Sequence, residues 1–218
     1  LLAWLANPNK RGAPILELDT EQRGLIRIPS EINDYFFNYY SLLYSHTTRE
    51  QTDRVENFLS QVTFPKLTPD EAKELGAKIS EQEIRGAIKM LARGKIPGTD
   101  GLPIEFYAAY IDMLAPKLAE LYEAARRERL LSASSREALV IPLLKPGKNA
   151  RDPAAYRPLS MLNVDYKILS RILAARLLPH MPKLIHPDQT GFIPSRCTAA
   201  NIRRLFRILD SKNYDNRS

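Results

Sequence analysis

The sequence predicts an α+β protein that is predominantly helical, and three observations support this prediction. Two segments carry a helix-capping box, in which a Ser or Thr and a Glu three residues later bond each other's backbone. Several segments repeat apolar residues at helical spacing. Strand-like runs are few and short, and turn-forming residues bound them.

Two short apolar stretches near the amino terminus predict a β-hairpin. They are residues 13–18 and 24–28, and polar residues join them. A helix is predicted to follow, with Ser30 as its N-cap residue. Apolar and aromatic residues recur along one face of this helix, which we expect to be buried: Ile32, Phe36, Phe37, Tyr40, Leu43 and Tyr44.

The two capping boxes predict where the next helices begin. Thr68 and Glu71 form the first box, with a proline at the favoured first helical position. Ser80 and Glu83 form the second. The second helix is predicted to bury Ile84, Ile88 and Leu91.

A shaped loop separates this helix from a longer one. Residues 94–103 contain too much glycine and proline for a helix, and their Pro-Gly and Asp-Gly pairs predict tight turns. Residues 104–130 return to helical spacing, with an expected break near Pro116 because proline lacks a backbone N–H. The predicted buried side holds Leu114, Leu118, Leu121, Tyr122 and Ala125.

The last third of the chain predicts one strand, a loop and two helices. Residues 138–144 predict a buried strand, and their proline favours an edge or a bulge. Residues 145–155 form a polar loop, residues 165–180 predict a helix, and a last helix begins near Thr198. We expect these helices to bury Ile168, Leu169, Ile172 and Leu173 in the first, and Ile202, Leu205, Phe206 and Leu209 in the second.

The composition excludes several classes of protein. Of 218 residues, 44% are hydrophobic and 26% are charged, which is typical of globular proteins and not of disordered tails. The single cysteine, Cys197, has no internal disulfide partner, and no Cys/His cluster has zinc spacing, so we expect an intracellular protein. No apolar run approaches the ~18 residues of a membrane span. Because position 1 is leucine and not methionine, we expect a fragment of a longer protein.

Positive charge is concentrated in the last third of the chain. The formal net charge is +7, and residues 145–218 hold 14 Lys and Arg against five Asp and Glu. Their net charge of +9 leaves −2 for residues 1–144. This asymmetry favours an anionic partner, with nucleic acid preferred to a membrane because no Lys-rich amphipathic terminal helix is present. A solvated basic face is the alternative.

One lysine and one arginine flank the polar loop that follows the predicted strand. Lys145 ends the strand and Arg157 begins the return, so both side chains can converge on one polyphosphate. Lysine would act as a point charge and arginine as a bidentate fork. The alternative is that both are surface cations beside a mobile loop. No Walker sequence is present, which disfavours a P-loop NTPase.

Five segments carry further recognisable patterns: residues 94–107, 140–148, 156–163, 167–177 and 186–195. In this order they resemble the reverse transcriptases of LINE-1-like non-LTR retrotransposons. The resemblance covers roughly residues 30 to 210, and the shared order makes a chance match improbable. It implies the right-hand polymerase fold, of which this chain would form the fingers and a partial palm, truncated before the catalytic strands. Residues 1–66 would be an amino-terminal connector, and residues 67–218 the incomplete reverse transcriptase domain.

The resemblance also implies roles for individual residues. Lys145 and Arg157 match the positions that grip the triphosphate of the incoming dNTP, which agrees with the clamp inferred from their chemistry. Gln189 to Arg196 resembles the segment near the template and primer. Asp100 is interpreted from its chemistry as a turn residue or a helix cap, because Asp before Gly is common in turns. The expected contacts to nucleic acid, an RNA template and a DNA primer, are Lys148, Arg151, Lys167, Arg171, Gln189, Arg196, Arg203 and Arg204.

No metal ligand is predicted in this sequence. Polymerases of this family hold two metal ions with palm aspartates, and the chain contains no Asp-Asp pair. Asp210 and Asp215 lack the surrounding strand pattern and are not assigned as ligands. We therefore expect this fragment to bind no cofactor and to be inactive alone, and we expect Mg²⁺ and the missing palm and thumb in the complete enzyme.

Three hypotheses follow. The first is a fragment of an RNA-directed DNA polymerase that contributes contacts to dNTP, template and primer. The second is a non-catalytic nucleic-acid-binding module that a host has retained. The third is a non-functional remnant with exposed apolar surface, for which aggregation on expression would be expected.

Overall fold

The computed structural model describes residues 14–20, 24–45 and 49–215. The chain divides into two compact units. The first unit comprises Leu1–Asn57 and Ile79–Leu169, and the second comprises Phe58–Lys78 and Ser170–Ser218. The described residues are mostly helical, as the sequence predicts, with two small sheets, of which the second contains a strand at 156–162 that was not predicted.

The described residues form nine α-helices and four strands. They are β1 (Leu18–Thr20), β2 (Gly24–Ile26), α1 (Pro29–Leu43), α2 (Arg49–Ser60), α3 (Pro69–Leu75), α4 (Glu81–Met90), α5 (Ile104–Ala109), α6 (Ile111–Glu128), β3 (Ala138–Leu144), β4 (Tyr156–Leu162), α7 (Val164–Leu177), α8 (Met181–Leu184) and α9 (Thr198–Asp215). No helix among the described residues is both long and apolar enough to cross a membrane.

The predicted amino-terminal hairpin is confirmed. Strands β1 and β2 pair antiparallel, with Leu18 opposite Ile26. The residues at 21–23, in the predicted turn, lie outside the described residues. The hairpin shares a buried cluster with α1 and with the start of β4: Leu18, Ile26, Ile32, Phe36, Tyr40, Ala155 and Tyr156.

Helix α1 differs from its prediction at its start and on its surface. It begins at Pro29 without a side-chain cap, so Ser30 lies inside the first turn and is not the N-cap. Proline suits this position because its fixed φ is already helical. The predicted burial of Phe37, Leu43 and Tyr44 is wrong, since all three are exposed. The small hairpin covers only a narrow stripe of the helix.

Both capping boxes are confirmed. Thr68 Oγ1 accepts from the Glu71 backbone N–H at 3.2 Å, and Glu71 Oε2 accepts from the Thr68 N–H at 2.6 Å. Ser80 and Glu83 make the same pair of bonds at 3.3 and 2.9 Å. Helix α4 buries Ile84 and Ile88 as predicted, and Leu91, its C-cap residue, is partly buried.

The long helix breaks at Tyr110 and not near Pro116. Tyr110 is the C-cap residue of α5 and the N-cap residue of α6, with φ −109° and ψ 29°. Pro116 is accommodated inside α6, where its missing N–H leaves one backbone carbonyl without its helical partner. The buried residues are Ala115, Leu118 and Tyr122, whereas the predicted Leu114, Leu121 and Ala125 are partly buried.

The strand at 138–144 is confirmed, but its predicted burial is wrong. Strand β3 pairs antiparallel with β4, from Ala138 opposite Leu162 to Leu144 opposite Tyr156. Every residue of β3 is exposed or partly buried. Among the described strands β3 has β4 as its single neighbour, so its proline stands on an edge strand, as one of the two predicted alternatives.

The last two predicted helices form, with less burial than expected. Helix α7 buries Ile168 and Ile172, whereas Leu173 is exposed. Helix α9 begins at Thr198 as predicted. The predicted burial of its apolar face is wrong, because all four residues are exposed: Ile202, Leu205, Phe206 and Leu209.

Candidate nucleotide and nucleic-acid interface

The loop end of the β3–β4 hairpin places the two predicted phosphate-binding residues on one face. Arg157 stands opposite Leu143 in the ladder. The Lys145 N–H donates to the Ala155 carbonyl at 2.9 Å, which extends the pairing past the strand end. Directly opposed residues and residues two apart share a face of a sheet. Lys145 and Arg157 are therefore diagonal neighbours on the same side of the hairpin.

The two side chains differ in their hydrogen bonds. The Lys145 ammonium donates to the Ala154 carbonyl at 2.9 Å. Arg157 is exposed, and its guanidinium has no hydrogen bond to any described residue. The hairpin end thus presents one guanidinium ready for a ligand, beside an ammonium that bonds its own loop.

The loop between these residues is internally ordered. Asp152 Oδ1 accepts from the Ala154 N–H at 2.8 Å and caps a single 3-10 turn at Pro153–Ala155. The Tyr156 hydroxyl donates to the Ala150 carbonyl at 2.7 Å. Lys148 is exposed in this loop. A polar sequence that predicts only a loop thus forms a fixed support for the hairpin end.

Arg151 in this loop is paired with the amino-terminal segment. Its Nε donates to Glu17 Oε1 at 2.5 Å, and Arg27 Nε donates to Glu17 Oε2 at 3.1 Å. The guanidinium of Arg27, and then that of Arg151, holds the pKa of the Glu17 carboxyl below its usual value. Nothing in the sequence pattern links residues so far apart, and this contact was not predicted.

A buried asparagine joins the glycine-rich loop to the end of β4. Asn163 is 1% exposed, and its Oδ1 accepts from Thr99 Oγ1 and from the Asp100 N–H, both at 3.3 Å. Its Nδ2 donates to the Ser134 carbonyl at 2.9 Å. Gly98 lies directly against the Asn163 backbone. Sequence reasoning missed this junction, and the Pro-Gly pair at 97–98 was its one local signal.

The interpretation of Asp100 as a turn residue is confirmed. Its Oδ1 accepts from the Leu102 N–H at 3.0 Å, which is the usual bond of an aspartate in a turn. Helix α5 begins two residues after Leu102, at Ile104.

A second buried network surrounds the start of α7. The Tyr122 hydroxyl donates to the Asp165 carbonyl at 2.8 Å, and the Ser135 hydroxyl donates to Asp165 Oδ2 at 2.8 Å. Burial, with Asp165 and Asp100 nearby, raises the pKa of Tyr107 to about 12. Burial also raises the pKa of Tyr122. These groups fix α7 and have no role in the predicted site.

Helix α7 carries two further candidates. Lys167 is partly buried, and its Nζ donates to the Ile96 carbonyl at 3.4 Å. Burial lowers the pKa of Lys167, and the Asp100 carboxylate opposes that shift. Arg171 is exposed on the same helix.

The candidates of the second unit lie around the loop before α9. Arg196 donates to four carbonyl oxygens at 2.7 to 3.1 Å, those of Pro182, Ile185, His186 and Gln189. Gln189 Nε2 donates to the Gly191 carbonyl at 3.3 Å. On α9, Arg204 is ion-paired with Asp188, and Arg203 is exposed.

The structure therefore groups the predicted residues by segment. Lys145, Lys148, Arg151 and Arg157 share the β3–β4 connection, Lys167 and Arg171 share α7, and the remaining four surround one loop of the second unit. Among the described residues no three His, Cys, Asp or Glu side chains form a group that could hold a metal ion. The side chains described here do not fit a Mg²⁺ site.

Comparison with known proteins points to one family. A model of the family described as reverse transcriptase (RNA-dependent DNA polymerase) matches residues 144–215. The chain is 31% identical, over 71% of its length, to a Xenopus laevis protein described as transposon TX1 uncharacterized 149 kDa protein. It is 29% identical, over 98% of its length, to the probable RNA-directed DNA polymerase from transposon BS of Drosophila melanogaster. It is also 25% identical, over 77% of its length, to the RNA-directed DNA polymerase from mobile element jockey of Drosophila funebris. The chain spans 12%, 24% and 21% of these three relatives.

Proposed function

Since this chain belongs to the reverse transcriptases of LINE-1-like non-LTR retrotransposons, we propose that it contributes the dNTP and template–primer contacts of an RNA-directed DNA polymerase. In the terms of the right-hand fold, it supplies the fingers and the start of the palm. The substrates are a dNTP, an RNA template and a DNA primer.

One observation carries this proposal, the shared face of Lys145 and Arg157 at the end of the β3–β4 hairpin. The planar guanidinium of Arg157 takes two oxygens of a triphosphate as a fork, and the Lys145 ammonium adds a point charge. A phosphate oxygen replaces the Ala154 carbonyl as the acceptor for Lys145. Together the two cations neutralise and orient the triphosphate before the chemical step.

The other candidate residues serve the nucleic acid. They are Lys148 and Lys167 in the first unit and Arg171, Gln189 and Arg203 in the second, whereas Arg151 and Arg204 are paired with the carboxylates of Glu17 and Asp188. Arg196 supports the second set by holding the carbonyl groups of its loop, Gln189 included. Phosphate contacts of this kind release counterions, so we expect affinity for an RNA–DNA duplex to fall steeply as salt is added.

Magnesium supplies the metal chemistry of polymerases in general. The residues of this chain bind and orient the substrates.

The test is the affinity of the full chain, with an RNA–DNA primer–template bound, for a fluorescent dNTP. Arg157→Ala removes a bidentate contact to phosphate, so it should weaken dNTP binding by about 1.5 to 3 kcal/mol, or about tenfold or more. Arg127→Ala is the matched control, because it removes an exposed arginine at the end of α6. Equal dNTP affinities of the two variants would contradict the proposal.

A non-catalytic nucleic-acid-binding module is the second candidate, favoured by the net charge of +9 on residues 145–218. It predicts salt-sensitive binding of RNA that is indifferent to dNTP. The same titration separates the two, because only a polymerase component binds the nucleotide through Arg157.

A further inference from the structure

The amino-terminal segment builds the base on which the triphosphate-binding loop rests. Strand β1 packs on the turn at Pro153–Ala155, and the Asp19 N–H donates to the Arg151 carbonyl at 2.7 Å. Ala155 and Tyr156 belong to the same buried cluster as β1, β2 and α1. The Tyr156 ring meets the Phe36 ring edge-on at 5.3 Å. Tyr156 immediately precedes Arg157, so this packing fixes the backbone from which Arg157 projects.

Glu17 provides the charged part of this attachment. Its side chain is 23% exposed, and its carboxylate accepts from two arginines, with Arg27 on one oxygen and Arg151 on the other. Arg27 lies just after β2, whereas Arg151 lies within the loop. The carboxylate therefore bridges the hairpin and the loop, and the two arginines hold its pKa below the ordinary value.

Resting on the proposed function, we propose that Glu17 is a positioning residue for the triphosphate site. It holds Arg151 against the amino-terminal hairpin and thereby keeps the loop between Lys145 and Arg157 in the geometry that binds a dNTP. It contacts neither substrate itself.

The proposal predicts weaker dNTP binding when the charge of Glu17 is removed, and a different role of Glu17 would predict stronger binding. If Glu17 merely neutralised Arg151, removing its charge would free a guanidinium for phosphate and strengthen binding. If Glu17 positions the loop, removing its charge loosens the site and weakens dNTP binding, because small misplacements of binding groups are costly.

The experiment measures dNTP affinity, duplex affinity and thermal stability of the full chain for Glu17→Gln. Asp34→Asn is the matched control, since it removes an exposed carboxylate of α1 in the same segment. We expect Glu17→Gln to weaken dNTP binding by about threefold to tenfold, with melting temperature and duplex affinity close to those of the control. Glu17→Asp should recover part of the loss, which a purely structural role would not predict.

Other outcomes overturn the proposal in distinguishable ways. An unchanged or stronger dNTP affinity in Glu17→Gln, while Arg157→Ala loses affinity, would remove the role of Glu17 and leave the proposed function standing. No loss in Arg157→Ala would remove the proposed function itself. If Glu17→Gln does not fold, Arg27→Gln loosens the same carboxylate without touching Arg151 and should give a smaller loss. Failure of both variants to fold would show a structural role and overturn the proposal.

Discussion

Each of the two units of this chain is stabilised internally by a different kind of contact. The first unit is built on buried apolar clusters and on neutral polar groups such as Asn163. Among the described residues of the second unit, the buried apolar ones are Ile172 and Ile193. There, arginines hold the backbone instead. Arg196 donates to four carbonyls, and Arg176 donates to the carbonyls of Leu75, Ala77 and Lys78.

This difference determines which basic residues are available to a ligand. In the first unit the loop is fixed by packing and by Glu17, so Arg157 and Lys148 remain exposed for phosphate. In the second unit Arg196 donates its hydrogen bonds to the carbonyl groups of its own loop, and Arg204 is paired with Asp188. A guanidinium has five donors that can bond either carbonyl groups or phosphates, so sequence alone does not separate these roles.

The largest expected effect tests the packing of the first unit at Gly98. A Cβ added there would meet the Asn163 N at 2.5 Å and the Leu162 carbonyl carbon at 2.6 Å, both of them backbone atoms that have little freedom to move. Gly98→Ala should therefore lower the free energy of unfolding by about 3 kcal/mol, measured by urea denaturation.

Gly86→Ala is the control for that variant. A Cβ at Gly86, inside α4, meets nothing within 4 Å. Alanine should stabilise the helix by about 0.5 to 1 kcal/mol. If the two variants had similar stability, the close approach of the glycine loop to β4 would be wrong.

The next effect tests the arginine-held loop of the second unit. Arg196→Ala removes the donors of four carbonyl bonds and should cost about 2 kcal/mol of stability. Arg203→Ala removes an exposed arginine on α9 and should stay within about 0.5 kcal/mol of the parent. Thermal melts of the two variants provide the comparison, and equal melting temperatures would refute the holding role of Arg196.

Part of this contrast was predictable from the sequence and part was not. The capping boxes at Thr68 and Ser80 were predicted because their bonds join residues three apart. The closeness of Lys145 and Arg157 was predicted because one short excursion separates them, whereas strand β4, which pairs with β3 and carries Arg157, was not predicted. The contacts of Gly98 with Asn163 and of Glu17 with Arg151 join distant segments, so no local pattern identifies the partner residue. The exposure of the apolar face of α9 was also beyond reach, because helical spacing shows that a face is apolar and not that something covers it.

The smallest expected effect concerns the stability of the second unit at acidic pH. Lys183, followed by the Thr68 backbone, lowers the pKa of Glu71 to about 2, and His180 lies 3.6 Å away. Because the pKa is lower in the folded than in the unfolded chain, Glu71 stabilises the fold above about pH 4.5. That stabilisation should disappear progressively as the pH falls towards 2.

Carboxylate NMR titration and melts between pH 2 and 5 measure this effect. Glu71→Gln should remove part of the acid sensitivity, whereas Glu74→Gln, which changes an exposed carboxylate on the same helix, should retain it. A titration of Glu71 near its ordinary value would contradict the ion pair with Lys183.

The most direct test of the account is a double-mutant cycle on Lys145 and Arg157, with dNTP affinity as the readout. If both cations bind one triphosphate, the loss in the double variant should differ from the sum of the single losses by about 0.5 to 3 kcal/mol. Single losses that add within about 0.5 kcal/mol, or no loss in either single variant, would show that the hairpin end does not form a shared triphosphate site.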